Sequence, residues 1–224
     1  MSLLDYLNAN FYTTSQLLAK SGIDAGTLHA WQNAGCMPMP SYRLEMQLHC
    51  QSFFCGHDET QQLDFYARDY VEWLGFLHTL SPSASLVRQA YTAFHERYSA
   101  QALKLFLQGI QPARFKAQAG GADLAALDAH IGEEWLSFLK GTYGLCTRSG
   151  LPEDIANKEM ATLAIDEITD RQRKEALTTA ESVDLIKAMR LLDQASSMFA
   201  PHERAGSSRQ RCIAAAAEKY NLAL

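Results

Sequence analysis

The sequence predicts an all-α protein, with a small helix-turn-helix module over residues 1–45 and an all-helical body over residues 58–224. Two observations predict that class. Apolar residues recur at spacings of three and four along most of the chain, and the β-branched alternation expected of strands is nearly absent. The segment YTTSQLLAKSGIDAGTLHAWQNAGCMP, residues 12–38, reads as two short helices. Thr14 can cap the first, which carries Leu17 and Leu18, and Gly22 ends it with a left-handed turn. Ile23 fills the crossing, and Asp24 caps a second helix that buries Leu28 and Trp31 and stops at Gly35.

The body follows the same logic. Leu63, Tyr66, Tyr70, Trp73, Leu74 and Leu77 fall on one face of a helix over 60–79. A second helix over 83–108 carries Leu86, Tyr91, Phe94, Tyr98, Leu105 and Phe106, with Ser81 as N-cap and Pro82 at its first position. A helix over 122–140 turns Leu124, Leu127, Ile131, Trp135, Phe138 and Leu139 inward and stops at Gly141. GTYGLCTRSG, with three glycines in ten residues, reads as an ordered loop. A helix restarts at Pro152 with Glu153 and Asp154 in its first turn, where acids suit the macrodipole, and buries Ile155, Leu163 and Ile168. Leu185, Met189, Leu192 and Phe199 mark a helix over 181–199, and Ser207 or Ser208 caps a last one over 207–222.

With 224 residues, 47% of them hydrophobic and 20% charged, the chain has the composition of a globular protein rather than a disordered one. No stretch approaches the roughly 20 apolar residues of a membrane helix. The N-terminus carries Asp5 and lacks a basic leader region, so the expected compartment is the cytoplasm. Five scattered cysteines suit reduced thiols.

The net charge of −5 is unevenly spread. Residues 1–45 hold Lys20 and Arg43 against Asp5, Asp24 and Glu45, whereas residues 161–224 hold nine bases against nine acids. Basic charge therefore rises toward the C-terminus.

The pattern Tyr12, Leu18, Ala19, Gly22, Ile23, Thr27, Leu28, Trp31, Gly35 and Pro38 resembles the MerR-type helix-turn-helix without a gap. That resemblance implies DNA contact by the second helix and by an Arg-bearing wing after it. Here the candidates for DNA contact are Thr27, His29, Gln32, Asn33 and Arg43. Phosphate neutralisation supplies essentially all non-specific affinity, and these residues include a single Arg. Charge thus supports DNA binding poorly and favours packing against the body, a partner protein or a second copy.

Three further groups carry chemistry. His49, Cys50, Cys55 and His57, with Cys36 upstream, are zinc-capable residues, but their C-x4-C-x-H spacing lacks the second ligand pair of a structural site, so no metal is assigned. Tyr143, Cys146, Thr147 and Arg148 lie in a glycine-rich stretch ahead of a helix and are candidates for holding an anion, with His130 the nearest candidate base for a Cys146 nucleophile. Arg204, Ser207, Ser208 and Arg209 sit in the most basic stretch, at the start of the last helix.

The segments PSYRL, WLSFLKGTYGLCTRSGLPEDIANKE and ERAGSSRQR resemble a bacterial family of uncharacterised proteins associated with natural-product biosynthesis. The resemblance implies no activity, cofactor or catalytic residue. Two functions therefore stand side by side: a non-catalytic binding or regulatory protein, and a biosynthetic enzyme or accessory protein holding an anionic substrate near 141–148 and 204–211.

Overall fold

Strands occupy part of the N-terminal third, so the chain is mixed α/β rather than all-α. The computed structural model describes residues 2–81 and 85–223. Helix α1 (Leu3–Asn10) leads into β1 (Phe11–Thr13), α2 (Thr14–Ser21), α3 (Ala25–Ala34), β2 (Tyr42–Gln51) and β3 (Gly56–Ala67). The sheet is antiparallel with order β1-β3-β2. Helices α4 (Tyr70–Thr79), α5 (Leu86–Leu107), α6 (Leu124–Leu139), α7 (Thr142–Cys146), α8 (Pro152–Ile168), α9 (Thr179–Ala195) and α10 (Ala215–Tyr220) follow.

The missed sheet has a compositional cause. Its strands hold only Thr13 and Thr60 as β-branched residues, so the usual marker is absent. A period of two is nonetheless present in β2, where Tyr42, Leu44, Met46 and Leu48 alternate with Arg43, Glu45, Gln47 and His49. Tyr42 faces Phe65 and Leu44 faces Leu63 across the ladder, while the distal half of the ribbon is exposed on both faces. The helical face expected over 60–79 joins two elements: Leu63 and Tyr66 belong to β3, and the helix begins only at Tyr70.

The caps of the N-terminal helix pair follow local chemistry. Thr13, not Thr14, caps α2 in a reciprocal capping box with Gln16. Gly22 takes the left-handed conformation at φ 73°, and Asp24 accepts the Thr27 amide at 2.8 Å to start α3. Gly35 ends α3, again left-handed.

Further on, α5 is capped by Ser85 instead of Ser81, and Pro82 lies outside the described residues. Leu124 is exposed at the start of α6. The glycine-rich stretch is partly helical, as α7, bracketed by left-handed Gly141 and Gly150. Leu163 and Ile168 are only half-buried, and the deep face of α8 is Ile155, Met160 and Ile165. Phe199 lies beyond the end of α9. The last helix opens with a π-helical turn, Gln210–Ala214, ahead of α10, and Ser207 accepts the Gln210 amide at 3.0 Å.

One continuous core joins the two ends of this order. Leu17 and Leu28 from α2 and α3 pack in the same buried cluster as Trp73, Phe94, Phe138 and Ile155. The Trp73 indole N–H donates to the Cys36 carbonyl at 2.9 Å, and its ring lies edge-on to Phe138 with centroids 5.0 Å apart. Gly141, at φ 80°, brings the end of α6 against the Met39–Pro40 backbone: a Cβ there would fall on the Met39 carbonyl and 2.8 Å from that of Pro40. Gly141→Ala is expected to cost about 2–4 kcal/mol, while Gly22→Ala, equally left-handed but with open space around it, costs about 1–2 kcal/mol. Urea unfolding midpoints of the two variants check this ranking.

Candidate functional site

The residues nominated for DNA are mostly engaged inside the chain. The Thr27 hydroxyl donates to Asp24 at 2.9 Å. Gln32 donates to the Pro38 carbonyl at 3.0 Å and meets the Tyr66 hydroxyl at 3.1 Å. Arg43 forms a two-pronged pair with Asp64 at 2.7 and 2.9 Å. Only His29 and Asn33 stand exposed on α3, one turn apart, among Ala25, Gly26, Ala30 and Ala34. The β2–β3 ribbon that follows α3 carries Asp58 and Glu59 in its distal part and ends in Phe53 and Phe54, 96% and 90% exposed.

Cys50, Cys55, His49 and His57 all lie on that exposed ribbon. His49 pairs with Asp58 and His57 with Glu59, whereas Cys36 is buried at the end of α3. Among the described residues no three His, Cys, Asp or Glu side chains gather at a metal-binding distance.

The two candidate stretches of the C-terminal half meet at the end of α9. Thr147 bridges to Ser196 as a short antiparallel contact, and the Arg148 amide donates to the Ala195 carbonyl at 2.8 Å. The Arg148 guanidinium reaches the Asp193 carbonyl at 3.5 Å, and Arg209 donates to the same carbonyl at 3.3 Å while pairing with the Asp193 carboxylate. Two cations at a helix C-terminus complement its dipole. Arg204 donates to the Phe199 carbonyl at 3.3 Å, Ser207 serves as a cap, and the Ser208 hydroxyl is buried without a partner.

A cleft of about 360 Å³ opens between α1–β1 and this junction. Thr147 and Arg148 line it, with Ser196 and Met198 beside them and Tyr6 and Phe11 opposite. The 204–211 stretch lines none of it. Tyr143 and Cys146 point the other way, into the body, where they are 4% and 9% exposed.

There they join a buried polar chain. The Tyr98 hydroxyl is 3.1 Å from His130 Nε2, and His130 Nδ1 lies 3.5 Å from Glu134 Oε1. Tyr143 donates to Glu134 and contacts Glu159 at 3.3 Å, and Lys158 pairs with Glu159 at 2.7 Å. Burial, reinforced by the Glu159 charge, pushes the Glu134 carboxyl up to about 8. Burial also lowers His130 and pushes the Cys146 thiol up to about 11. Burial alone would lower Lys158, but Cys146 and Glu159 together raise it. The consistent assignment is a neutral Glu134 beside a charged Lys158–Glu159 pair. Cys146 is thus a thiol at neutral pH, ill-suited to nucleophilic attack, and the His130 ring engages Tyr98 rather than Cys146.

From the sequence, Glu134 is set aside as one of two adjacent acids, Glu133 and Glu134, that share no helix face, and Lys158 receives no role. Their signal is positional: His130 and Glu134 sit one turn apart inside the apolar stripe of Leu127, Ile131, Trp135 and Phe138. Tyr6 and Ser196 in the cleft carry no such signal, because their proximity is created by the fold.

The helical part of the chain identifies its family. A model described as a family of unknown function, DUF6058, matches residues 90–221, and the chain belongs to that family. Neither a curated protein nor a solved structure matches it. The match runs from α5 to the end of α10 and takes in Tyr98, His130, Glu134, Tyr143 and Lys158 as well as Arg148 and Ser196. Among the described residues no helix is long and apolar enough to cross a membrane.

Glu134 makes stability depend on pH in a defined direction. Between its ordinary 4.5 in the unfolded chain and about 8 in the fold, the folded state holds one more proton. Its contribution to stability is therefore complete below 4.5 and is lost as pH rises toward 8, at up to ~1.4 kcal/mol per pH unit. Glu134→Gln keeps a neutral hydrogen-bonding group and should remove this slope. Urea titrations of the two proteins at pH 5, 6.5 and 8 are expected to show the variant gaining on the wild type as pH rises.

Proposed function

We propose that the protein is a non-catalytic binding or regulatory protein whose N-terminal segment is a MerR-like winged helix-turn-helix used to dock protein rather than to read DNA. The element order α1-β1-α2-α3-β2-β3 and the sheet order β1-β3-β2 support the winged reading, with α3 in the recognition position and the β2–β3 ribbon as the wing. The observation that carries the docking reading is the state of its polar groups. Arg43 is neutralised by Asp64, Gln32 and Thr27 bond within the segment, and residues 1–68 hold three bases against six acids.

The wing defines the partner. Phe53 and Phe54 pack edge to face at 5.3 Å at an exposed tip, with Asp58 and Glu59 on the adjoining strand. They fit a protein with an apolar pocket rimmed by Lys or Arg. Aromatic anchors with a charged surround are the usual composition of an interface hot spot.

Two measurements test this. Fluorescence anisotropy at about 50 mM salt is expected to show no salt-dependent binding to genomic DNA fragments, since each neutralised phosphate would contribute about 0.9 to the log–log salt slope. A photo-crosslinker at Gln51 should capture a specific protein, and Phe53→Ser with Phe54→Ser should abolish the capture. A steep salt slope, or crosslinks to DNA, would overturn the docking reading.

A further inference from the structure

We propose that the cleft between α1–β1 and the end of α9 is a binding site for a small monoanionic carboxylate with an apolar body. This goes beyond the docking reading and rests on different residues.

The cleft contains one uncompensated cation. Arg148 stands exposed, its guanidinium touches only the Asp193 carbonyl at the long distance of 3.5 Å, and among the described residues no carboxylate pairs with it. The Asp193 carboxylate is taken by Arg209. A guanidinium left this way presents a planar fork matched to a carboxylate.

The cleft also contains one unsatisfied hydroxyl. Ser196 is 1% exposed, lines the cleft, and its Oγ has no hydrogen-bond partner. Most buried hydroxyls have one, and among the side chains lining this cleft Ser196 alone is without it, so an open hydroxyl beside a free cation marks a place suited to a polar ligand atom. The neighbouring polar groups are satisfied: Thr147 Oγ1 donates to the Tyr143 carbonyl at 2.6 Å, Ser197 Oγ to the Leu145 carbonyl at 2.6 Å, and Asn10 to the Tyr6 carbonyl at 2.8 Å. Arg148 and Ser196 are therefore the open contacts.

Beside these polar groups the wall has an apolar part. Tyr6, Phe11 and Ala67 stand on one side and Met198 on the other, in a volume at the lower end of the range for small-ligand pockets. No acidic side chain lines the cleft. One cation, one hydroxyl and an aromatic wall fit a single carboxylate carrying a ring or short chain, and fit a multiply charged phosphate less well. The two walls come from residues 6–11 with Ala67 and from residues 144–198, so an occupant would bridge the N-terminal segment and the helical region.

Methyl NMR of protein carrying labelled methionine provides the test. Met198, 60% exposed, reports on the cleft, while Met37, Met160 and Met189 are buried elsewhere and serve as internal controls. Benzoate, phenylpyruvate and pentanoate are the probes, with benzamide as the uncharged control and inorganic phosphate as the anion without an apolar body. At least one carboxylate should shift Met198 alone and saturably, while benzamide and phosphate bind at least about tenfold more weakly. Arg148→Gln should weaken the carboxylate by at least about tenfold, Arg148→Lys by less, and Ser196→Ala should weaken it with unchanged thermal stability. The proposal is overturned if no carboxylate shifts Met198, if Arg148→Gln binds as well as the wild type, or if phosphate binds as tightly as the carboxylates.

Discussion

The position of Trp73 in the core governs the relation between the two halves of this chain. Its side chain is fully buried, its indole N–H holds the carbonyl at the exit of α3, and its ring packs against Trp135 and Phe138 of α6. A ring of this size carries a large share of the apolar area that any one residue can bury. The N-terminal helix pair is therefore fastened to the helices by a directional bond and by an aromatic cluster. Gly141 closes the same seam from the other side, where only a residue without a Cβ lets the end of α6 lie on the Met39–Pro40 backbone. The cleft beside Arg148 is a product of that seam, since its two walls belong to segments that these contacts hold together.

The buried chain from Tyr98 to Lys158 is a second constraint, and one of a different kind. Ionised groups in a core are costly unless paired, and breaking such a pair is costlier than replacing it. Here the charge is confined to Lys158 and Glu159, while Glu134 is neutral and accepts the Tyr143 hydrogen bond. Tyr143 is the joint: it stands on α7, directly after Gly141, and reaches α6 and α8 at once. The glycine that seats the helix pair thus also sets the start of the helix on which the polar chain depends. Neither Glu134 nor Lys158 lines the Arg148 cleft, which separates this network from it.

Much of the helical frame was legible in the sequence for local reasons. Asp24, Gly22 and Gly35 mark the ends of α2 and α3 by capping chemistry that needs no tertiary context, and Pro152 opens α8 at a helix N-terminus. The sheet was concealed by its composition. The alternation Tyr42, Leu44, Met46, Leu48 was present, but without Val, Ile or Thr it did not register as a strand, and Leu63, Tyr66 and Tyr70 imitated a helical spacing across the β3–α4 boundary. Of the candidate site, Thr147 and Arg148 were visible because a glycine-rich stretch drew attention to them. Ser196 was not, because its significance is the absence of a partner, and Tyr6 was not, because it arrives from more than 140 residues before Thr147 and Arg148.

Charge and fold make separate demands, and in the N-terminal segment they disagree. The winged reading proposed for its strand and helix order would set a helix and a ribbon toward a duplex, yet such an arrangement only positions side chains and does not choose them. Binding to a polyanion requires cations that are free as well as present. Here Arg43 is held by Asp64, and Arg68 lies over the Tyr12 ring while donating to the Asn8 carbonyl. The two arginines of this segment thus act as internal fasteners. Arg148 differs from both, because its environment gives it a carbonyl and no carboxylate. In a chain with more acids than bases, an arginine on the wall of a cleft that has been left without an acid is a more specific indicator of ligand chemistry than the fold of the segment facing it.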